Sequence, residues 1–304
     1  MEQIVRDEVL ALGPDGRLVG IVSHPSGGHS LARAATILPG TPDPGLILLN
    51  AGVLHRVGPH RLHVVLARRV ASAGITALRL DLGGIGDSTA ASDAASFRDS
   101  AVADTRAAMT GLTDMLGIPR FVLFGICAGA DNAIATALVD ERVAGIVLVD
   151  PPTYATPLGR LRDLRARVAK YGSPGEVLRR GLATAERALR RAIERLGRRT
   201  DAAPSGGREL PPVATYRAQL TALVDRGVRI LAIFSGIHGP RYNHTDQLFE
   251  LCPELRGRLD RVYYPDANHT FTELAAQAEL IDAVAHRRQD HEHGQIGVEQ
   301  HFQR

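Results

Sequence analysis

The chain has 304 residues, 44% of them hydrophobic and 23% charged, with 36 Lys and Arg against 33 Asp and Glu. This is ordinary for a globular protein, and long enough for one large α/β domain or a core carrying an inserted lid. No apolar run reaches the roughly 18 residues that cross a membrane, and two cysteines, Cys127 and Cys252, do not make a disulfide scaffold. The opening Met1–Arg6 lacks a basic stretch followed by an apolar one, so no signal peptide is expected and the expected location is the cytoplasm.

In chain order, Leu46–Leu49 is the first apolar strand pattern, and it runs into Asn50-Ala51-Gly52-Val53 and then a loop with His55, Arg56, His60 and Arg61. Gly74–Asp81 is a second strand with its lead-in, followed by Leu82–Ser88. Phe121–Phe124 is a third, and Gly125-Ile126-Cys127-Ala128-Gly129 follows it before an Ala-rich helical run, Ala133–Val139. A strand, a Gly-x-Cys-x-Gly turn and a helix form the setting of a nucleophile elbow. The turn is sharp, so Gly125 and Gly129 leave room where a Cβ would clash, and Cys127 is lifted to the top of the sheet at a helix N-terminus. Ala144–Val149 is a strand ending at Asp150, Val228–Phe234 one ending at Ser235-Gly236, and Asp260–Tyr264 the last, followed by Pro265-Asp266-Ala267-Asn268-His269. Strands alternating with helical patterns predict a mostly parallel sheet covered on both faces.

These motifs resemble the α/β-hydrolase superfamily, in its subgroup with a cysteine nucleophile. Arg79-x-Asp81-x-x-Gly84-x-Gly86-x-Ser88 is similar to the family segment one helix before the elbow, and Asn50–Val53 stands where the family places its oxyanion loop, without the usual His-Gly. The resemblance covers residues 15–287. It implies a core formed by 1–152 and 216–287, a helical lid inserted at 153–215 and a tail at 288–304. It implies Cys127 as nucleophile and His269, just beyond the last strand, as general base. The acid has two candidates. The commoner family position, after the strand Val228–Phe234, offers no carboxylate until Asp246. The end of the preceding strand offers Asp150, which is preferred. The oxyanion donors would be the N–H of Ala128 and that of Gly52 or Val53. His55, Arg56, His60, Ile126 and Tyr154 are candidate substrate contacts, although Arg56 and Arg61 could equally cap their loop or sit in solvent. No metal or cofactor is expected. His291-Glu292-His293 is read as a solvated tail.

Cysteine in place of serine carries its own chemistry. The thiolate is the nucleophile, so it needs its pKa lowered, and a helix N-terminus and an imidazole both do this. A thioester acyl-enzyme is matched in energy to a carrier-bound thioester, which favours acyl transfer or cyclisation over ester hydrolysis. Relatives of this kind include dienelactone hydrolases, aminoacyl shuttles between carrier proteins, and Dieckmann-type cyclases of natural-product pathways. The expected function is thus acyl transfer, cyclisation or thioester cleavage on an acyl or polyketide-like substrate in bacterial secondary metabolism. Carbon–carbon bond formation, plain ester or lactone hydrolysis, and a binding protein without turnover are the alternatives. Residues 156–208 hold 14 Lys and Arg against 5 Asp and Glu on amphipathic helical patterns. That surface is either a solvated face or a landing site for an acidic carrier protein or coenzyme A thioester. Near-absence of aromatics argues against nucleic acid. No membrane contact is expected, and a homodimer is compatible with the sequence.

Overall fold

The structure is a computed structural model and describes residues 5–25, 44–91, 96–173 and 210–286, with 175–176, 178–180, 182–183, 186 and 208 between the last two stretches. Among the described residues, eight strands form one sheet: β1 (Arg6–Leu12), β2 (Leu18–His24), β3 (Gly45–Leu48), β4 (Ala77–Leu80), β5 (Phe121–Ile126), β6 (Val143–Val149), β7 (Arg229–Ser235) and β8 (Asp260–Tyr264). Their order across the sheet is β1-β2-β4-β3-β5-β6-β7-β8. β1 and β2 are antiparallel to each other and β2 is antiparallel to β4; every pairing from β4 to β8 is parallel.

The central strands β3, β5 and β6 are buried along their whole length, which is why they appear in the sequence as unbroken apolar runs. Helices cover both faces. α1 (Leu62–Ser72) and α7 (Leu274–His286) close one core, which includes Leu46, Leu48, Val122, Phe124 and Val149. α2 (Phe97–Leu116), α3 (Ala128–Val139) and α5 (Val213–Asp225) close the other, which includes Leu78, Phe121, Leu123, Ile146 and Tyr216. α4 (Pro157–Tyr171) and the short α6 (Gln247–Leu251) complete the set.

Local chemistry fixes the helix ends. Ser96 accepts a hydrogen bond from the Asp99 N–H at 3.2 Å and starts α2, which stops at Gly117, at φ 69°. Thr156 accepts from the Gly159 N–H at 3.0 Å and starts α4, with Pro157 in the first turn. The hairpin β1–β2 was not anticipated by the sequence reading. Its turn carries Pro14-Asp15-Gly16, with Gly13 and Gly16 both at positive φ, a turn chemistry that does predict a reversal. The chain leaves the sheet after β6, runs through α4 and returns at α5. Arg160, Arg162, Arg165, Arg167 and Lys170 are exposed on α4, where Arg167 meets Asp163 at 2.8 Å. The helical pattern around Arg187, Arg191 and Arg195, and the tail 288–304 with His291 and His293, lie outside the described residues. Among the described residues no helix is long and apolar enough to cross a membrane.

Candidate active site

The parallel strands all end on one edge of the sheet, and the candidate site is assembled there from the ends of β5, β6, β7 and β8. β5 finishes at Ile126 and α3 begins at Ala128, so the reversal falls on Cys127, at φ 55° and ψ −114°. A non-glycine residue in that conformation stores strain of order 1–3 kcal/mol, which the surroundings must hold. They hold it through close backbone approach. A Cβ on Gly125 would lie 2.1 Å from the Gly129 carbonyl oxygen, and a Cβ on Gly129 would lie 2.7 Å from that of Asn50. The two glycines therefore let α3 pack down on β5 and let the loop after β3 lie against its first turn.

Asp150 closes β6, also at positive φ, and is completely buried. Its carboxylate accepts hydrogen bonds from the Ser235 N–H and Oγ–H, both at 2.7 Å, and lies 2.6 Å from His269 Nδ1. The loop carrying His269 is fixed to the end of β7, where the Gly236 N–H donates to the Ala267 carbonyl at 3.0 Å. Toward Cys127, His269 is the group that does most to lower the thiol, and Cys127 in turn is the second cause that raises the imidazole. The chain thus brings Cys127, His269 and Asp150 into one relay from residues far apart in sequence.

The charges follow from these contacts. The hydrogen bond with His269 is the main force lowering the Cys127 thiol; burial opposes it, and the Arg208 and His269 charges and the Ala128 N–H add to it. Asp150, followed by Cys127, raises His269 to about 9 against the effect of burial. Burial pushes Asp150 up, but its contacts with His238 and His269 and the Ser235 N–H outweigh this and hold it well below the usual carboxylate range. These contacts favour the ionised form of all three groups: they lower the Cys127 thiol, raise the His269 imidazole and hold Asp150 as a carboxylate. Cys252 contrasts with Cys127: it is fully buried beside α6 and burial raises its thiol to about 11.

The remaining sequence candidates fall in several places. Asp246 pairs with Arg256 at 3.0 Å and Arg261 at 2.5 Å rather than with a histidine of the relay. Ala128 opens α3 directly after Cys127, and Gly52 is at φ 61° with open space around it. Val53 is 87% exposed. The oxyanion loop is braced by Asn50, whose side chain donates to the Leu54 carbonyl at 2.9 Å and to Asp81 at 3.1 Å and accepts from the Leu82 N–H at 2.8 Å. Asp81 also accepts from the Arg56 N–H at 2.6 Å and pairs with its guanidinium, which reaches Asp87 at 2.5 Å as well. The structure therefore occupies Arg56, offered above as a substrate contact, in bracing this loop. A Cβ on Gly86 would meet the Asp81 carboxylate at 2.1 Å, which explains that glycine. Ile126 turns its side chain into the core. The Tyr154 hydroxyl donates to the Pro211 carbonyl at 2.6 Å. His55 and His60 are exposed, and His60 lies 3.4 Å from Thr272.

Three residues absent from the sequence candidates belong to the site. Ser235 supplies both donors to Asp150. His238 places Nε2 2.9 Å from the second Asp150 oxygen, at an angle too oblique for a full hydrogen bond. Arg208 extends from the return of the insertion to Cys127. Asp150, His238 and His269 bring potential ligand atoms within 4.8 Å of one another. The Asp150 carboxylate already takes four contacts and His269 Nδ1 holds the relay proton, so the trio fits proton handling rather than a cation cage.

The comparisons with known proteins agree with this architecture. No curated protein sequence matches the chain. Among solved structures, a serine hydrolase without lid from Xanthomonas campestris superposes with a TM-score of 0.50 at 16% identity, over 93% of this chain and 92% of its own. An esterase from Pyrococcus furiosus gives a TM-score of 0.54 at 14% identity, over 93% and 89%. A serine hydrolase homologue from Coxiella burnetii gives 0.50 at 14%, over 92% and 95%. At such identities these likenesses speak for the fold alone. The model of the alpha/beta hydrolase fold family matches residues 44–205, more than half of the sequence and including β3 to β6 with the elbow, and the chain belongs to that family.

Proposed function

We propose that this protein is an enzyme that carries acyl groups on Cys127, transferring them to a second nucleophile or releasing them by cyclisation or hydrolysis. The observation that carries the reading is the thiol at the elbow, lowered chiefly by an imidazole whose Nδ1 lies 2.6 Å from the buried Asp150. The Cys127 thiolate attacks the carbonyl of an activated acyl substrate, and the oxyanion is received by the N–H of Ala128 and an N–H of the Gly52–Val53 loop. Collapse expels the leaving group, which takes the proton of the His269 imidazolium. His269 then removes a proton from the acceptor, which attacks the thioester and frees Cys127. Asp150 holds the imidazole in one tautomer and stabilises its charged form throughout.

Because a thioester exchanges with another thioester at little cost, thiol, amine and carbanion acceptors suit this site. The resemblance to Cys-elbow enzymes of natural-product pathways points to a polyketide-like or aminoacyl substrate. Ester hydrolysis is the second reading, with water as the acceptor; the esterase from Pyrococcus furiosus shares the fold.

The excess of arginine in 156–208 supports an acidic carrier or coenzyme A as the donor. For a carrier-bound substrate KM should rise steeply with salt, because exposed charges are screened beyond about 8 Å at physiological ionic strength. Reversing Arg187, Arg191 and Arg195, at four-residue spacing, should weaken that substrate and leave a small free thioester almost unaffected. Steady-state kinetics on both substrates across salt checks this. Equal losses on both would assign the arginines to the shape of the insertion, and no loss on either would make them a solvated face. Product ratios with and without an added thiol or amine separate transfer from hydrolysis.

A further inference from the structure

The guanidinium of Arg208 is mostly withdrawn from solvent and oriented by four contacts. Nε and Nη2 bond both oxygens of Asp131 in the first turn of α3, at 2.6 and 2.7 Å. Nη1 donates to the Asp150 carbonyl at 2.9 Å and lies 3.9 Å from Cys127 Sγ. We propose that Arg208 is a second cation of the nucleophile, a positioning residue that holds Cys127 as a thiolate. This rests on Cys127 being the nucleophile.

The chemistry favours this over a plain strut. A bidentate salt bridge with Asp131 would be complete without Nη1. That third nitrogen is instead directed between the backbone of the relay acid and the reacting sulfur. The charged groups around Cys127 then fall into two pairs: imidazolium His269 with Asp150, and Arg208 with Asp131. His238 meets the Asp150 carboxylate at 2.9 Å, and the Tyr154 hydroxyl is spent on the Pro211 carbonyl. Each cation near the sulfur is anchored by a carboxylate that does not itself reach it. An opposite charge within about 4–6 Å of an ionisable group moves its titration by about 1–3 pH units, and partial neutralisation by Asp131 places Arg208 at the lower end.

The test is the rate of Cys127 alkylation by iodoacetamide as a function of pH, located by peptide mass, in the full-length protein and in Arg208→Gln, Arg208→Lys, Asp131→Asn and His269→Ala. Arg208→Gln should move the midpoint up by about one pH unit, Arg208→Lys should restore most of it, and Asp131→Asn should leave it in place or lower it. Thermal denaturation of each variant supplies the stability that a strut would control. If Arg208→Gln and Asp131→Asn lose stability alike while both midpoints stay at the wild-type value, Arg208 is a strut and the inference fails, although the nucleophile reading stands. If Arg208→Gln does not fold, the same decision is taken on Arg208→Lys against Asp131→Asn, where an unmoved Lys midpoint with a raised Asn midpoint overturns it. A wild-type midpoint at the ordinary thiol value, unmoved by His269→Ala, would instead remove the nucleophile reading itself.

Discussion

Cys127→Ala is expected to abolish acyl transfer, with a loss in kcat on the order of 10⁶-fold, the effect of deleting a nucleophile that works as a unit with its base. The thiol sits at the N-terminus of α3, in a strained backbone conformation and lowered chiefly by His269, and Ser235, the nearest hydroxyl to the relay acid among the described residues, is buried and spends its hydroxyl on Asp150. The alanine keeps the elbow, since it adds nothing that the two glycines must accommodate. Cys127→Ser should retain a small fraction of the rate and shift products towards hydrolysis, because an oxyester intermediate exchanges less readily with thiols and amines. Single-turnover assays with an activated thioester check both variants. Turnover in Cys127→Ala within tenfold of wild type would leave non-covalent catalysis by the pocket as the account.

Asp150→Asn should leave the fold intact and reduce the rate by up to about 10⁴-fold, as an amide can no longer fix the histidine tautomer or stabilise its charge. The direction in pH follows from the same contact. Asp150 is the first cause that raises His269 to about 9, so its loss moves the imidazole down, and the imidazolium that wild type keeps up to about pH 9 should be lost at lower pH. Stability should fall little, because the isosteric amide can still accept from the Ser235 N–H. Asp246→Asn should do much less, since that carboxylate faces Arg256 and Arg261 at the surface. Circular dichroism with pH–rate profiles of the two variants makes the comparison. The reverse ranking would return the acid to the loop after β7.

Sequence periodicity located the parallel half of the sheet well, because β3, β5 and β6 are buried on both faces and leave continuous apolar runs. The bounds expected for the last strand, Asp260–Tyr264, coincide with β8. The β1–β2 hairpin was overlooked because β1 is an edge strand with alternating, partly charged residues, and its clearest trace is the turn at Pro14-Asp15-Gly16. At the site, Cys127, Asp150 and His269 were legible as positions, since each follows directly on a strand and all parallel strands end on the same edge. His238 and Arg208 were not. His238 follows β7 in a turn whose course no pattern sets, and Arg208 is one arginine among many in a segment distant from the elbow. For Arg56 the sequence leaves substrate contact and loop capping both open, because its partners Asp81 and Asp87 come from another strand end.

The account turns on Cys127 being an activated nucleophile and Cys252 being inert. Limiting iodoacetamide at pH 6–7 on the folded protein, followed by peptide mass mapping, measures this directly. Cys127 should be alkylated well below the pH at which a free thiol of pKa about 8.5 reacts, and its rate should fall sharply in His269→Ala, while Cys252 stays unmodified until the protein unfolds. Faster labelling of Cys252 than Cys127, or equal labelling of Cys127 in wild type and His269→Ala, would contradict it.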